Sequence, residues 1–191
     1  ITSSPAWMAS RSAAVMSPVD AFGSTVYTAS KSPQFQLHAD YALAGGKLWA
    51  SAKSQRFDGN GLGPDFTMSG VELGGSYQFG AFGLLANVQS GKGLGVLADG
   101  DNGPQKQTAM LLQGTFQVSP KLKLGLNYGT TRLKDTAGTD LSNNANTTLG
   151  LYYSLTKSLT LVGEGSRTTS KAAAGDSATM NGLALGAILF F

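Results

Sequence analysis

Apolar and polar side chains alternate along most of this chain with a period of two. The segment Leu122–Lys134 shows the pattern most clearly. Its apolar positions are Leu122, Leu124, Leu126 and Tyr128, and the positions between them are Lys123, Gly125, Asn127 and Gly129. Successive side chains of a β-strand point to opposite faces, so the pattern predicts strands with one apolar and one polar face. The polar face carries more polar groups than a dry core tolerates, and we expect it to meet water.

The same alternation predicts about eleven strands along the chain. They are Ser10–Ser17, Ser24–Ser30, Gln34–Leu43, Lys47–Phe57, Phe66–Phe79, Gly83–Leu94, Gln107–Val118, Leu122–Lys134, Thr147–Leu155, Leu159–Thr169 and Thr179–Phe191. An odd number does not fit a closed up-and-down antiparallel barrel, in which the first strand pairs with the last only when the count is even. Either one strand is miscounted, or further strands belong to a segment outside this sequence.

The last predicted strand, Thr179–Phe191, ends on an aromatic residue. Leu183, Leu185 and Leu189 share one face of it with Phe191, whereas the opposite face is mostly small. A soluble domain rarely ends on an apolar strand, because chain termini tend to fray into water. In a transmembrane β-barrel a terminal aromatic can lie in the interfacial girdle while the strand edge closes the barrel, so we predict that Phe191 has this assembly role.

Short and long connections alternate between the predicted strands. The short ones are Ala44–Gly46, Gly80–Phe82, Ser119–Lys121 and Thr156–Ser158, and the longer polar ones are Asp58–Asp65, Gly95–Lys106, Asp135–Asn144 and Ser170–Ser177. Soluble β-sandwiches have turn signals every 8 to 12 residues or so without this asymmetry. Short periplasmic turns and long outer loops are typical of an outer-membrane barrel. We therefore predict an all-β, transmembrane, antiparallel up-and-down β-barrel.

Composition agrees with strands that face lipid on one side and water on the other. Of the 191 residues, 13% are charged, against roughly 25% in an ordinary soluble domain. No apolar run approaches the roughly 18 residues that a membrane-spanning helix needs, which excludes a helical membrane protein. The chain has no Cys, so disulfides and thiolate metal sites are excluded.

The sequence predicts no catalytic residues, no metal site and no cofactor. His38 is the only His, and its neighbours Gln36 and Asp40 on the same strand face favour a lumen-lining role over a Ser-His dyad. The Gly-rich run Gly91–Gly95 lacks the Gly-Lys-Ser/Thr ending and the helix of a phosphate-binding loop. We therefore expect a protein that is not an enzyme and does not bind nucleic acid.

Alternation also selects the residues that would line a water-filled lumen. The predicted pore-lining residues are His38, Asp40, Lys53, Glu72, Gln113, Lys123, Asn127 and Glu164. The lysines among them are either ordinary solvated rim charges or part of a basic field that attracts anions, as rings of Lys or Arg do in anion pores. The carboxylates Asp40, Glu72 and Glu164 would provide an opposing field, and the net charge of +3 does not decide between these readings.

Two segments resemble the general porins of the neisserial and β-proteobacterial type. The first is Arg11–Tyr27, in which a strand ending in Ser-Pro leads through a turn with Gly and Phe into a strand ending in Tyr. It departs from the family pattern at Ala14, where a basic residue is common, and at Val15, where an aromatic is common. The second is Tyr152–Leu161, which together with the terminal Phe191 resembles the closing strands of that family.

The resemblance implies that residues 1–191 form a single β-barrel domain, the C-terminal two-thirds of a sixteen-stranded porin that also has five earlier strands and a constriction loop. It further implies a homotrimer in the bacterial outer membrane, with outer-membrane lipid and lipopolysaccharide as partners. The expected function is passive diffusion of small hydrophilic solutes and ions. A non-conducting structural or adhesive outer-membrane barrel and a soluble β-protein are the alternatives.

Overall fold

A computed structural model describes residues 28–29, 32–59, 64–95, 99–100 and 103–191. Three features of the sequence analysis lie outside these residues. They are the predicted strand Ser10–Ser17, most of the predicted strand Ser24–Ser30, and the Arg11–Tyr27 segment. Within the described residues the secondary structure is β throughout, with no α-helix. None of these residues forms a helix long and apolar enough to cross a membrane.

The described strands are one short strand followed by nine long ones. Their bounds are β1 Thr28–Ala29, β2 Phe35–Leu43, β3 Gly46–Asp58, β4 Phe66–Phe79, β5 Phe82–Lys92, β6 Lys106–Gln117, β7 Leu122–Lys134, β8 Asp140–Ser154, β9 Leu159–Ala172 and β10 Ser177–Leu189. From β2 to β10, each strand pairs antiparallel with the next one along the chain. The predicted all-β, up-and-down antiparallel architecture is therefore confirmed.

The described sheet has two strands, β1 and β2, at one edge and a single strand, β10, at the other. At one end, β1 and β2 pair with successive parts of the same side of β3, β1 near Asp58 and β2 from Ser54 to Gly46. At the other end, β10 pairs with β9 over its whole length. Among the described strands, β10 has no second partner.

One surface of the sheet, which we call the apolar face, carries large hydrophobic side chains that are exposed. Leu73, Leu84, Leu112, Leu126 and Leu149 are representative, each between 51% and 59% exposed. Aromatic residues gather on this face at the ends of the strands near the short turns, where Tyr77 packs against Phe79 and Phe82 against Phe116. An exposed apolar band flanked by aromatic residues is typical of a lipid-facing barrel wall.

The opposite surface, which we call the polar face, carries a small hydrophobic core. Phe57 and Phe66 stack with ring centroids 5.3 Å apart, and Met68 and Leu94 complete the buried cluster. Leu94 lies just after β5, so the cluster is built where the connection between β5 and β6 returns over the polar face. The backbone N–H of Gly93 donates to the carbonyl oxygen of Gln105 and closes the base of that connection.

The connections correct the predicted alternation of short and long loops. Those from β3 to β4 and from β5 to β6, residues 59–65 and 93–105, are longer than the turns at the other end of the sheet. Those from β7 to β8 and from β9 to β10 are only residues 135–139 and 173–176. The strict alternation in length is therefore wrong in this half of the sheet, because polar strands continue into segments that we predicted as loops.

Two predicted strands, Phe66–Phe79 and Leu122–Lys134, match β4 and β7 at both ends. The start of β8 is the largest correction. It begins at Asp140, whereas the prediction began at Thr147, because the Asn and Ser residues before Thr147 pair with β7 and β9 instead of forming a loop. The last strand ends at Leu189, and the backbone N–H of Phe190 donates to the carbonyl oxygen of Ser158. Phe191 lies beyond the strand and is fully exposed.

Candidate functional site

The polar face is the candidate functional surface, and strand register builds it. Cross-strand partners share a face, and the partners His38, Ser51, Glu72 and Gln89 form one row across four strands. The register puts all the predicted pore-lining residues on this face, namely His38, Asp40, Lys53, Glu72, Gln113, Lys123, Asn127 and Glu164. Their role in lining a pore stays a prediction.

Glu72 is the centre of the first group of charged residues. Its Oε1 atom accepts hydrogen bonds from Trp49 Nε1 and from Asn87 Nδ2, each at 2.8 Å. The indole of Trp49 reaches this position by lying over Gly74, where an added Cβ would overlap the ring. The Nζ atom of Lys47 lies 5.4 Å from the centre of the same indole. The strand residues therefore hold a carboxylate in place from two sides.

His38 and Asp40 lie next to this group on β2. His38 Nδ1 is 2.9 Å from Ser51 Oγ, and His38 Nε2 is 3.6 Å from Asp40 Oδ1. The order of contacts is that of a Ser-His-Asp triad, but the second distance is too long for a hydrogen bond and the His38 and Asp40 side chains are about half exposed. The backbone around Ser51 is paired with β2 and β4, which leaves its amides committed to the sheet instead of to an oxyanion hole.

Lys53 is tied to the connection between β5 and β6. Its Nζ atom forms an ion pair with Asp99 Oδ1, while Gln34 Nε2 donates to the other carboxylate oxygen at 3.0 Å. Gln36 Nε2 in turn donates to Gln34 Oε1. The predicted pore residue Lys53 is thus partly neutralised, and Asp99 brings part of the β5–β6 connection onto the polar face.

A groove of about 370 Å³ lies between these groups, lined by His38, Ser51, Lys53, Glu72 and Gln89 among others. A second groove of about 360 Å³ begins at Glu72 and continues towards β9. Apart from Glu72, its polar lining is amide and hydroxyl, from Asn87, Gln89, Thr131, Asn144, Asn146 and Thr168. The lining therefore changes from charged groups in the first groove to neutral hydrogen-bonding groups along the second groove beyond Glu72.

The neutral part of the face is internally hydrogen-bonded. Asn146 Nδ2 donates to Thr168 Oγ1 at 2.7 Å, and Thr148 Oγ1 donates to Asn146 Oδ1 at 2.8 Å. Gln113 and Asn127 are direct cross-strand partners. The Oδ1 atom of Asn127 is buried without a hydrogen-bond partner among the described residues.

Lys123 and Glu164 both contact Tyr152, a residue that the sequence prediction did not include. The Tyr152 hydroxyl donates to Glu164 Oε1 at 2.6 Å, and Lys123 Nζ lies 5.4 Å from the centre of the Tyr152 ring. This repeats the arrangement at Glu72, with a lysine over an aromatic ring that donates to a carboxylate. The described strand charges on the polar face thus include both signs side by side, and they do not form a purely basic surface.

Trp49, Asn87 and Tyr152 were not among the predicted pore residues. Asn87 alternates with Ala86 and Val88, and Tyr152 with Leu151 and Tyr153, so the sequence pattern contains the signal for both. Trp49 alternates with Leu48 and Ala50 in a segment that has little polarity contrast. Asp99 lies in a connection, where strand periodicity gives no information.

A model of the Gram-negative porin family matches residues 7–173 of the chain. A search of curated protein sequences gave no significant match. Among solved structures, the outer membrane channel DcaP of Acinetobacter baumannii is similar, with a TM-score of 0.76 and 18% identity over 91% of this chain and 56% of that one.

Two further structures share the fold. The anion-selective porin from Comamonas acidovorans has a TM-score of 0.67 and 19% identity, over 83% of this chain and 49% of that one. The trimer form of OmpT, an outer membrane protein of Vibrio cholerae, has a TM-score of 0.62 and 17% identity, over 83% of this chain and 57% of that one. The chain thus spans about half the length of these proteins.

Proposed function

Because the chain belongs to the Gram-negative porin family, we propose that its polar face lines a water-filled channel through which small hydrophilic solutes and ions diffuse. The protein is located in the bacterial outer membrane, and its sheet is part of a transmembrane β-barrel. The observation that carries the proposal is the division of nine consecutive strands into one exposed apolar face and one polar face. The apolar face can contact the hydrocarbon of the membrane, whereas the polar face must contact water.

The proposed barrel is larger than the set of strands described above. Both edges of the sheet, β2 and β10, have a side without a described partner strand, and unpaired backbone groups cost several kcal/mol each in hydrocarbon. We infer that further strands pair with these edges. The family resemblance then supports residues 1–191 as the C-terminal part of a longer, sixteen-stranded single-domain porin. In this barrel the exposed Phe191 would lie at the membrane interface and assist assembly.

We also propose the type of porin, its oligomeric state and its orientation in the outer membrane. The Arg11–Tyr27 resemblance supports the neisserial and β-proteobacterial type, although that segment lies outside the described residues. A homotrimer is supported by the trimer form of the similar Vibrio cholerae protein. The turns at residues 44–45, 80–81, 118–121 and 155–158 would then face the periplasm, with lipopolysaccharide surrounding the opposite end.

The proposed protein is not an enzyme. The His38–Asp40 contact is 3.6 Å long between half-exposed side chains, and a passive channel needs no chemical step. Ion selectivity would come from two charged groups on the polar face. Each consists of a lysine, an aromatic residue and a glutamate, so that positive and negative charges lie side by side along the wall. We propose that this wall admits ions of both signs, which differs from the anion-attracting basic field that was one of the sequence-based interpretations.

Conductance of the protein in planar bilayers tests the channel function. Gln113→Trp puts a bulky ring on the polar face and should lower the single-channel conductance. Leu112→Trp, the neighbouring residue on the apolar face, is the matched control and should leave conductance unchanged. A correctly folded protein that gives no conductance steps would contradict the channel and favour the non-conducting structural or adhesive barrel.

A further inference from the structure

The connection between β5 and β6 packs onto the polar face. We call its described residues, 93–95, 99–100 and 103–105, the docked segment. All of these residues are buried or partly buried. The turn between β9 and β10 at the same end of the sheet, residues 173–176, is exposed throughout. Connections between strands normally run over the outer surface of a protein, so the packed position of the docked segment calls for specific contacts with the wall.

Leu94 is the apolar anchor of the docked segment. Its side chain is 5% exposed and belongs to the buried cluster described above. Leu94 lies over Gly70 and Gly91, which are direct cross-strand partners on β4 and β5. An added Cβ would come within 2.5 Å of a Leu94 methyl carbon at Gly70 and within 2.9 Å at Gly91. The two glycines therefore leave a recess in the wall, and the Leu94 side chain fills it.

Gly100 is the second anchor, and it places backbone directly against an aromatic ring. An added Cβ at Gly100 would lie 2.5 Å from the Phe57 ring. The φ of Gly100 is +84°, which favours glycine at this position. Its backbone N–H donates to the carbonyl oxygen of Gly93 at 2.8 Å. The segment thus keeps its own hydrogen bonds while it covers Phe57.

Asp99 is the polar anchor, and it reaches strands on the far side of β4. Its carboxylate pairs with Lys53 on β3 and accepts a hydrogen bond from Gln34, just before β2. Neighbouring strands lie about 4.8 Å apart, so the docked segment extends about 10 Å across the polar face from β5 to β3. Apolar and polar contacts therefore hold it at both of its sides.

We propose that the docked segment narrows the channel at the end opposite to the short turns and limits the size of the hydrophilic solutes that enter there. The inference rests on the proposed function, since the polar face must be the lumen wall. A sixteen-stranded barrel is about 30 Å across between backbones. A layer packed on a sheet lies about 10 Å from it, so the docked segment takes up about a third of that width.

The docked segment is separate from the constriction loop that the family resemblance implies, because that loop would precede the strands described above. A connection that extended away from the barrel would leave Phe57 and Met68 exposed to the water of the lumen. The hydrophobic effect opposes this exposure. The docked position is therefore a fixed part of the wall, and small ions pass beside it.

Exclusion of neutral polymers during bilayer recording tests the inference on the whole protein. Polyethylene glycols lower the single-channel conductance when they enter the lumen, and their neutrality makes the result independent of the charges of Asp99 and Lys53. Gly100→Val puts a branched side chain against Phe57 and should displace the docked segment. Polymers added at that end of the channel should then enter up to a radius about 5 Å larger than before.

Gly175→Val is the matched control. Gly175 has a φ of +94°, and an added Cβ there meets nothing within 4 Å. G175V should keep the exclusion limit of the unsubstituted protein. L94A/D99N removes two anchors without adding backbone strain and should shift the limit in the same direction as G100V. Unchanged limits in G100V and L94A/D99N would overturn the inference, and so would an equal shift in G175V.

Cross-linking separates this inference from the proposed function. The chain has no Cys, so a short bismaleimide should link K53C/D99C, in which Leu94 and Gly100 still anchor the segment. The control pair K53C/T136C should not link, because Thr136 lies in the turn between β7 and β8. A conducting protein in which K53C/D99C does not link would keep the channel and overturn the inference. A linked pair in a protein without conductance would reject the channel itself, and with it the narrowing.

Discussion

Trp49 Nε1 donates a hydrogen bond to Glu72 Oε1 at 2.8 Å, from one strand to the next across the polar face. Tyr152 and Glu164 repeat this relationship on β8 and β9 at 2.6 Å. In both cases a lysine ammonium lies over the aromatic ring, 5.4 Å from its centre. The aromatic residues therefore position carboxylates along the wall and keep cations close to them, which gives the proposed lumen fixed charges of both signs.

Replacing Glu72 by Gln should make the channel more permeable to anions. The substitution removes one fixed negative charge and leaves Lys47 and Lys53 on the same part of the wall. Reversal potentials under a salt gradient measure the change. Trp49→Phe is the control, because it removes the hydrogen bond to Glu72 and keeps the charge. The same reversal potential in the E72Q and unsubstituted channels would exclude Glu72 from the permeation path.

Arginine should be tolerated differently at two adjacent positions of β8. Leu149 is 57% exposed on the apolar face, whereas Thr148 lies on the polar face. Leu149→Arg should lower the free energy of unfolding by about 2 to 4 kcal/mol if its position is near the bilayer midplane, because the guanidinium must enter hydrocarbon. Thr148→Arg should cost less and alter conductance. Reversible unfolding by denaturant in lipid vesicles measures both, and equal destabilisation would contradict a water-filled polar side.

Cysteine labelling of intact cells tests the orientation. The chain contains no Cys, so a single introduced thiol is unambiguous. Thr136→Cys, in the turn between β7 and β8, should react with a membrane-impermeant maleimide. Ser119→Cys, in the short turn between β6 and β7, should react only after the outer membrane is opened. The opposite pattern would reverse the proposed orientation.

Asp135 organises the turn between β7 and β8 in a way that depends on pH. Its Oδ1 atom accepts the backbone N–H groups of Gly138 and Thr139 at 2.6 and 2.8 Å. The hydrogen bond from the Thr139 backbone, opposed in part by desolvation, lowers the pKa of the Asp135 carboxyl below its usual 3.8. Gly138 has a φ of +101°, which favours glycine at this position of the turn.

A carboxyl group whose pKa is lower in the folded than in the unfolded state stabilises the folded state. This stabilisation is fully present when the pH is above the pKa of the unfolded state, and it is lost as the pH falls through the pKa of the folded state. Asp135→Asn should therefore speed amide hydrogen exchange in residues 136–140 at neutral pH. The difference in exchange rate between D135N and the unsubstituted protein should disappear once the pH is below the pKa of Asp135 in the folded protein. Hydrogen-exchange mass spectrometry at matched pH values measures this, with Asp176→Asn in another turn as the control. A difference that persists in acid would contradict a role for the charge.

Strand positions were predictable wherever polarity contrast was strong. Phe66–Phe79 and Leu122–Lys134 alternate clearly, and the structure has strands with these bounds. The start of β8 was missed because Asn143 and Asn144 are turn-forming residues in isolation. In the sheet their neighbours supply the partners, as when Thr130 Oγ1 donates to Asn143 Oδ1 at 3.0 Å. This stabilisation comes from another strand and is invisible to a local pattern.

The polar face was predictable as a surface but not as a set of contacts. Period-two alternation assigns Glu72 and Glu164 to one face without specifying what they touch. The contact between Lys53 and Asp99 joins residues that are 46 positions apart, through a connection that has no periodicity. The Trp49 contact depends on the absence of a Cβ at Gly74 of the adjacent strand. Such details follow from register, which only the folded sheet provides.

A porin channel requires that the polar face lines an aqueous pore and that the apolar face contacts lipid. Cysteine scanning of β8 over residues 144–149 during bilayer recording tests it most directly, using a charged, water-soluble thiol reagent. Cysteines at Asn144, Asn146 and Thr148 should react and change the current, whereas those at Ala145, Thr147 and Leu149 should not. Uniform reactivity, or current changes at the odd-numbered positions instead, would contradict it.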